Sequence, residues 1–281
     1  MKFLITAFLS IVLLSAHGQA DSILRDFSNR PDHILVAAHR APHADYPENS
    51  LAAIREAIRL GVDIVELDIR QTKDGILVLM HDKTITRTTG KPGGTGDYTY
   101  AELQQFPLLH NGQPTQERIP TFEEALKLTK DRILVDIDFK EGTPEAARKT
   151  VELVKASGTT SQVLFFLYDY KEIPQLRNWN PKIPIMPRAY NTGDIAGIGQ
   201  MGTFPAIHID DSYYSDSLAN ALRAGGTRVW LNALGKYDKA EKASPGTGFS
   251  ELLKKHPRVN IIQTDLPAEL LAYLRSKGFH R

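Results

Sequence analysis

Residues 64–69 read Ile-Val-Glu-Leu-Asp-Ile, and residues 133–140 read Ile-Leu-Val-Asp-Ile-Asp-Phe-Lys. Both are short apolar runs that suit strands, yet each carries carboxylates two residues apart, on one side of the strand. Charged groups rarely enter a protein interior unless they are paired or hold a cation. The two runs therefore read as strands whose polar positions build a site. Glu66 and Asp68, with Asp136 and Asp138 from the neighbouring strand, would make an oxygen-rich cluster for a hard divalent cation, Ca²⁺ or Mg²⁺.

Working outward, strand-like runs recur at 34–39, 163–168, 183–190, 206–210, 228–233 and 260–264, and most gaps hold helical spacing. Leu51, Ile54 and Ile58 share a helix face, with Asn49 or Ser50 as N-cap and Gly61 as stop. Thr121-Phe-Glu-Glu124 is a capping box, and Thr143-Pro144 opens a helix ending near Gly158. Eight strands alternating with helices predict an α/β fold, a (β/α)8 TIM barrel. A doubly wound open sheet has the same periodicity. The alternation breaks over about 70–115, where a tight turn at Thr72-Lys-Asp-Gly75, another apolar run and a Gly-rich loop predict a small insertion after the second strand.

The chain has 281 residues, 42% hydrophobic and 24% charged, proportions of a globular protein. A net charge of +1 suggests no electrostatic hold on nucleic acid or anionic lipid, which would need a concentrated basic surface. The absence of cysteine excludes disulfides, thiolate nucleophiles and cysteine-ligated metal. Met1-Lys2, an apolar run over 3–16 and small residues at Gly18 and Ala20 predict a signal peptide over 1–20, leaving 21–281 as the mature domain. That run is shorter than the roughly 20 residues a span needs, so no stable membrane anchor is expected. The expected location is exported, periplasmic or secreted.

Barrel enzymes place their chemistry at the C-terminal ends of strands. His39-Arg40 ends the first strand and Lys140 the third. Arg40 and Lys140 suit a phosphate, and His39 with His81 could serve as base and acid. Plainer readings stand beside these. Glu66 and Asp68 could pair with Lys140 and Arg40 in a salt-bridge layer, Trp230 could be core or pocket wall, and Asp210-Asp211 could touch ligand or cap a loop. Arg70 and Lys73 read as a solvated edge, and Gly93–Gly96 as a turn.

The ordered set His39-Arg40, Pro47-Glu48-Asn49-Ser50, Glu66-Leu67-Asp68, Thr72-Lys73-Asp74-Gly75, His81-Asp82, Arg87-Thr88-Thr89-Gly90, Ile119-Pro120-Thr121-Phe122-Glu123-Glu124 and Thr264-Asp265 resembles the glycerophosphodiester phosphodiesterase family. The resemblance runs from about residue 34 to the C-terminus. It implies a TIM barrel with an insertion after the second strand, His39 and His81 as catalytic histidines, and Glu66, Asp68 and Asp138 as metal ligands. Arg40 and Lys140 would face phosphate, with Glu48 and Trp230 also on the substrate. The reaction it implies cleaves a small-molecule glycerophosphodiester to glycerol 3-phosphate and an alcohol, with Ca²⁺ or Mg²⁺.

Three positions depart from the family pattern. Asp138 stands where a glutamate is usual, Ala41 where a glycine follows His-Arg, and Trp230-Leu231-Asn232-Ala233 replaces a Trp-Thr-Val-Asn run. The last unsettles the alcohol or glycerol pocket. Two other functions stay open: a phospholipase D-like or cyclising enzyme on lysophospholipids, favoured by a larger apolar pocket near Trp230, and an exported protein that binds phosphodiesters without turnover.

Overall fold

The computed structural model describes residues 18–281. Most of the expected signal peptide therefore lies outside the described residues. Gln19 and Ala20, at its expected end, form the first turn of a helix over Gln19–Asn29, where Ala20 is buried.

Eight parallel strands form one sheet: β1 (Leu35–Ala38), β2 (Ile64–Gln71), β6 (Leu134–Phe139), β7 (Val163–Leu167), β8 (Ile185–Pro187), β9 (Ala206–His208), β10 (Arg228–Asn232) and β11 (Ile261–Thr264). Their order is β8-β7-β6-β2-β1-β11-β10-β9. The ends meet at a parallel bridge between Arg188 and His208, where the Ala189 N–H donates to the His208 carbonyl at 2.9 Å. The sheet thus curls into a nearly closed barrel, and the open-sheet alternative falls away.

Alternate residues of each strand face inward. At the N-terminal end of the barrel these are apolar: Leu35, Ala37, Ile64, Leu134, Leu164, Met186, Ala206, Trp230 and Ile261 pack as one cluster. Ile23 joins them, so the Gln19–Asn29 helix plugs the barrel floor. Trp230 is fully buried here, below the site, and this corrects its placement as a pocket wall. Further along β2 and β6 the same inward parity carries carboxylates, and the parallel register sets Glu66 beside Asp136 and Asp68 beside Asp138. The outward residues pack on the surrounding helices, which begin and end largely where their caps indicate. Ser50 accepts from Ala53 N–H, Thr121 and Glu124 close the capping box, and Gly61 and Gly158 stop their helices in the left-handed region.

The insertion occupies the span between β2 and the Phe122–Thr129 helix. It contains β3 (Leu77–Leu79), antiparallel to β2, and a hairpin of β4 (Pro107–His110) and β5 (Gln113–Arg118). Val78, Met80, Ile85, Leu103, Leu108 and Ile119 give it a small core of its own. The polar sequence of the hairpin, with β5 half exposed and nowhere fully buried, hid it from periodicity.

A buried network closes the opposite end of the barrel. Asp63 accepts from Val36 N–H at 2.9 Å and from the Arg281 guanidinium at 3.2 Å, and its carboxylate lies 2.8 Å from His280 Nε2. His33 lies against the His280 ring with centroids 4.6 Å apart. Burial, then the His280 charge, lowers the His33 pKa to about 4.

Candidate active site

The loop leaving β1 is held in an uncommon shape. Arg40, Ala41 and Asn49 adopt left-handed φ values of 52°, 59° and 56°, costing on the order of 1 kcal/mol or more each. The surroundings enforce it. The Arg40 N–H donates to Glu66 Oε2 at 2.7 Å, and the Asn49 N–H to the Arg40 carbonyl at 2.8 Å. The Asn49 side chain clasps Asp68 from both directions, its amide donating to Oδ2 at 2.7 Å and its oxygen accepting from the Asp68 N–H at 3.2 Å. Asn49 is therefore a site-building residue; Ser50 supplies the cap.

Glu66, Asp68 and Asp138 bring carboxylate oxygens within 4.8 Å of one another. Glu66 Oε1 is buried without a hydrogen-bond partner among the described residues. Burial, then the charges of Asp68, Asp138 and Asp136, pushes the Glu66 carboxyl well above the usual carboxylate range. Asp136 is raised likewise by burial and Asp138. Asp138 is raised by burial and by Asp68 against the opposing pull of Lys140. An oxygen cluster with an unspent acceptor and mutual repulsion fits a divalent cation, and the shorter Asp138 still reaches the cluster.

Lys140 Nζ lies 2.5 Å from Asp138 Oδ2 and 3.3 Å from Asp68 Oδ1. Burial opposes its charge, but these carboxylates hold its pKa above the lysine range. Arg40 Nε is 3.8 Å from Asp68 and its guanidinium reaches Glu48 at 3.3 Å. The salt-bridge reading thus holds for Asp68 with the two cations, while Glu66 pairs only with backbone.

Each expected histidine is held by an acid through Nδ1. His39 Nδ1 lies 2.7 Å from Asp265 Oδ1, and His81 Nδ1 lies 2.7 Å from Asp82 Oδ1. A proton shared there leaves Nε2 with the lone pair in the neutral ring. Burial works upward on Asp265, but the His39 hydrogen bond and charge hold it below the usual range. His43 Nε2 stands 3.7 Å from the same carboxylate.

Arg87 ties the insertion to the barrel. Its Nε donates to Asp82 at 2.7 Å, and its two terminal nitrogens reach both oxygens of Glu48 at 2.7 Å. Its hydrogen bond is the main cause that lowers Asp82 to about 2. Burial would raise Glu48, yet Arg87 and Arg40 outweigh it and hold that carboxyl low. Glu48 is thus a bridge between two arginines. Arg70, expected at a solvated edge, instead grips the His81 carbonyl with two donors at 2.9 and 3.1 Å.

Tyr168, beyond β7, donates to both oxygens of Asp138 at 2.9 and 3.0 Å. Arg188, beyond β8, donates to Asp210 at 2.7 Å, which gives Asp210 a side-chain partner at the rim. Sequence reading missed both residues and gave Asp82, Arg87 and Asp265 no role, although all three sit in the quoted motifs. A cavity of about 70 Å³ runs between His39, Glu66 and Asp138 on one side and Arg188, His208, Asn232 and Gln263 on the other. A larger groove of about 480 Å³ opens beside Lys140 and Tyr168, walled by Phe139, Leu176 and Trp179.

Fold and site together define a class: a (β/α)8 barrel with an acidic, cation-type centre at the strand ends, flanked by two carboxylate-held histidines. The family model for the glycerophosphoryl diester phosphodiesterase family matches residues 39–191, and the chain belongs to that family. A glycerophosphodiester phosphodiesterase of Caldanaerobacter subterraneus subsp. tengcongensis is 33% identical over 157 residues, 54% of this chain and 65% of that protein, so the match spans just under two thirds of the relative. A glycerophosphoryl diester phosphodiesterase of Parabacteroides distasonis superposes with a TM-score of 0.81 at 24% identity, covering 92% of each chain. An Oleispira antarctica phosphodiesterase solved with the product sn-glycerol-3-phosphate superposes with a TM-score of 0.70 at 22% identity, covering 86% of this chain and 97% of that one. These likenesses place the fold.

Proposed function

We propose that the protein hydrolyses glycerophosphodiesters to glycerol 3-phosphate and an alcohol, with a divalent cation held by Glu66, Asp68 and Asp138. One observation carries the reading: two histidines are each held at Nδ1 by a carboxylate 2.7 Å away, His39 lining the cavity beside Glu66 and Asp138 and His81 joined to the acidic centre through Asp82, Arg87, Glu48 and Arg40. That arrangement suits transfer of two protons across a phosphorus centre. A binding protein without turnover would have no use for it.

When bound, the cation would supply positive charge to the non-bridging phosphate oxygens and favour their ionised, polarised form. Arg40 and Lys140 add two permanent cations beside it. His39 takes the proton of the glycerol hydroxyl next to the ester. As that oxygen bonds to phosphorus, the bond to the leaving alcohol breaks and His81 protonates the departing oxygen. A cyclic phosphate results. Water then opens it with the histidines exchanging roles. Asp265 and Asp82 hold the rings and steady the charged forms. The alcohol departs towards the groove beside Tyr168.

Trp230 is sealed in the barrel floor, so the apolar pocket there that would favour a lysophospholipid enzyme is not formed. We further propose export, on the leader-like residues 1–20; no helix among the described residues is long and apolar enough to cross a membrane. Product analysis tests the activity. Chelator-stripped protein should release glycerol 3-phosphate from glycerophosphocholine only after Ca²⁺ or Mg²⁺ is restored. Accumulation of cyclic phosphate as the final product would assign a cyclising enzyme instead.

A further inference from the structure

His43 follows His39 by four residues in the loop that leaves β1, and its ring turns back onto that loop. Nδ1 lies 3.1 Å from the His39 carbonyl oxygen and 3.0 Å from the Ala41 carbonyl oxygen. A carbonyl only accepts, so Nδ1 carries the proton and donates to both. Between those two carbonyls the backbone is left-handed at Arg40 and Ala41. Each bears a Cβ in a conformation that glycine adopts freely, and the His43 ring is a tie across the strained turn. With the proton fixed on Nδ1, the neutral ring has its lone pair on Nε2. That atom faces Asp265 Oδ1 at 3.7 Å, where two acceptors repel and a second proton makes an ion pair.

The same Asp265 oxygen holds His39 Nδ1 at 2.7 Å, so two histidines address one acceptor, their ring centroids 6.3 Å apart. Burial works upward on Asp265, and His39, then the charges of His43 and Lys242, hold it low. Lys242 lies in the Lys236–Ala243 helix, whose Asp238 accepts from the Asp265 N–H at 2.8 Å. The remaining charge beside His43 is Glu48, on which the His43 charge also acts. We propose that His43 is a positioning residue for the base: through Nδ1 it holds the turn that carries His39 and Arg40, and through Nε2 it takes a share of the Asp265 charge that His39 would have alone. The proposal rests on reading His39 as the base. A cation beside a carboxylate weakens its hold on a second cation. Protonated His43 therefore leaves His39 free to act as base at lower pH.

Three variants of the full chain separate the two contributions. His43→Asn keeps an N–H where Nδ1 stood and removes the charge, His43→Lys keeps a charge without the ring donor, and His43→Ala keeps neither. The readout is the pH profile of kcat/KM on glycerophosphocholine with Ca²⁺ or Mg²⁺ present. Its acid limb should move up by about half to one pH unit in His43→Asn and His43→Ala, and stay in place in His43→Lys. At the plateau, kcat should fall roughly 10-fold in His43→Ala and His43→Lys, and His43→Asn should recover most of that loss. His43→Gln is the second neutral variant if His43→Asn does not fold. Coincident acid limbs in wild type and the neutral variants would overturn the shared carboxylate, and a wild-type plateau in His43→Ala would overturn the tie. NMR titration of the His39 ring, assigned by its loss in His39→Asn, reads the coupling without turnover. A midpoint that rises in His43→Asn, in a protein that releases no glycerol 3-phosphate, upholds the coupling and overturns the glycerophosphodiesterase reading; an unmoved midpoint overturns the coupling itself.

Discussion

Arg87 and Glu48 lie side by side, the two terminal guanidinium nitrogens each 2.7 Å from one carboxylate oxygen. The third nitrogen reaches Asp82, which holds His81, while Glu48 also receives Arg40. One side chain of the insertion thus fixes His81, the proposed acid, and Arg40, the proposed phosphate partner, relative to one another. A bidentate pair sets angle as well as distance, which a single lysine contact would not.

Arg87→Ala should therefore lower kcat by roughly 10- to 100-fold, the scale of a misplaced acid–base group. Stability should change little, because the side chain is 49% exposed. Steady-state kinetics beside a thermal melt checks this; an unchanged kcat would detach Arg87 from the chemistry.

His39→Ala and His81→Ala should each cost about 10²–10⁴-fold in turnover. Neither ring ligates the acidic cluster, so metal affinity and melting temperature should stay close to wild type. Calorimetric titration with Ca²⁺ on each variant separates the two effects. Near-normal rates in either would remove it from the acid–base role.

The acidic centre is repulsive without a cation. Metal should raise the melting temperature, by an amount equivalent to about 2.7 kcal/mol at a hundred times Kd. Glu66→Gln removes one of the repelling charges. Metal-free, it should melt no lower than wild type, and added cation should leave its melting temperature nearly unmoved. A full metal-induced shift in Glu66→Gln would place the cation elsewhere.

His33 makes stability depend on acid. Its folded pKa, about 4, lies below the ordinary value of 6.5. Between those values the unfolded chain binds the proton and the folded chain does not, so stability is full above pH 6.5 and drains as pH falls towards 4. The loss should be on the order of 2 kcal/mol. Urea unfolding of wild type and His33→Asn at pH 7 and pH 5 checks it: the variant should lose less on acidification.

Much of this was legible in sequence because it rests on period and parity. Eight apolar runs named the barrel strands, and the i, i+2 spacing of Glu66, Asp68, Asp136 and Asp138 already put them on one side of their strands. His39 and His81 stood out as motif residues. What escaped were relations between distant segments. The distance from Asp265 to His39, Tyr168 donating to Asp138, and Arg188 pairing with Asp210 all depend on strand order around the barrel, which one-dimensional spacing does not encode. Arg70 looked like a solvated edge because its alternation with Asp68 ended the strand, yet the insertion folds back over it. Trp230 was open to two readings since an inward-facing residue lies in the core or in the pocket according to its depth along the strand. Its depth is set by the register of β10 against β11, Trp230 beside Ile261.

In the proposed reaction the carboxylate cluster and the two histidines cleave a glycerophosphodiester with a divalent cation. The most direct measurement follows glycerol 3-phosphate release from glycerophosphocholine while Ca²⁺ or Mg²⁺ is titrated into chelator-stripped wild type and Asp68→Asn. Expected are no release without metal, a rise to saturation that tracks metal bound by wild type, and no comparable rise in Asp68→Asn. Full turnover in the presence of chelator, or equal metal-driven turnover in both proteins, would contradict it.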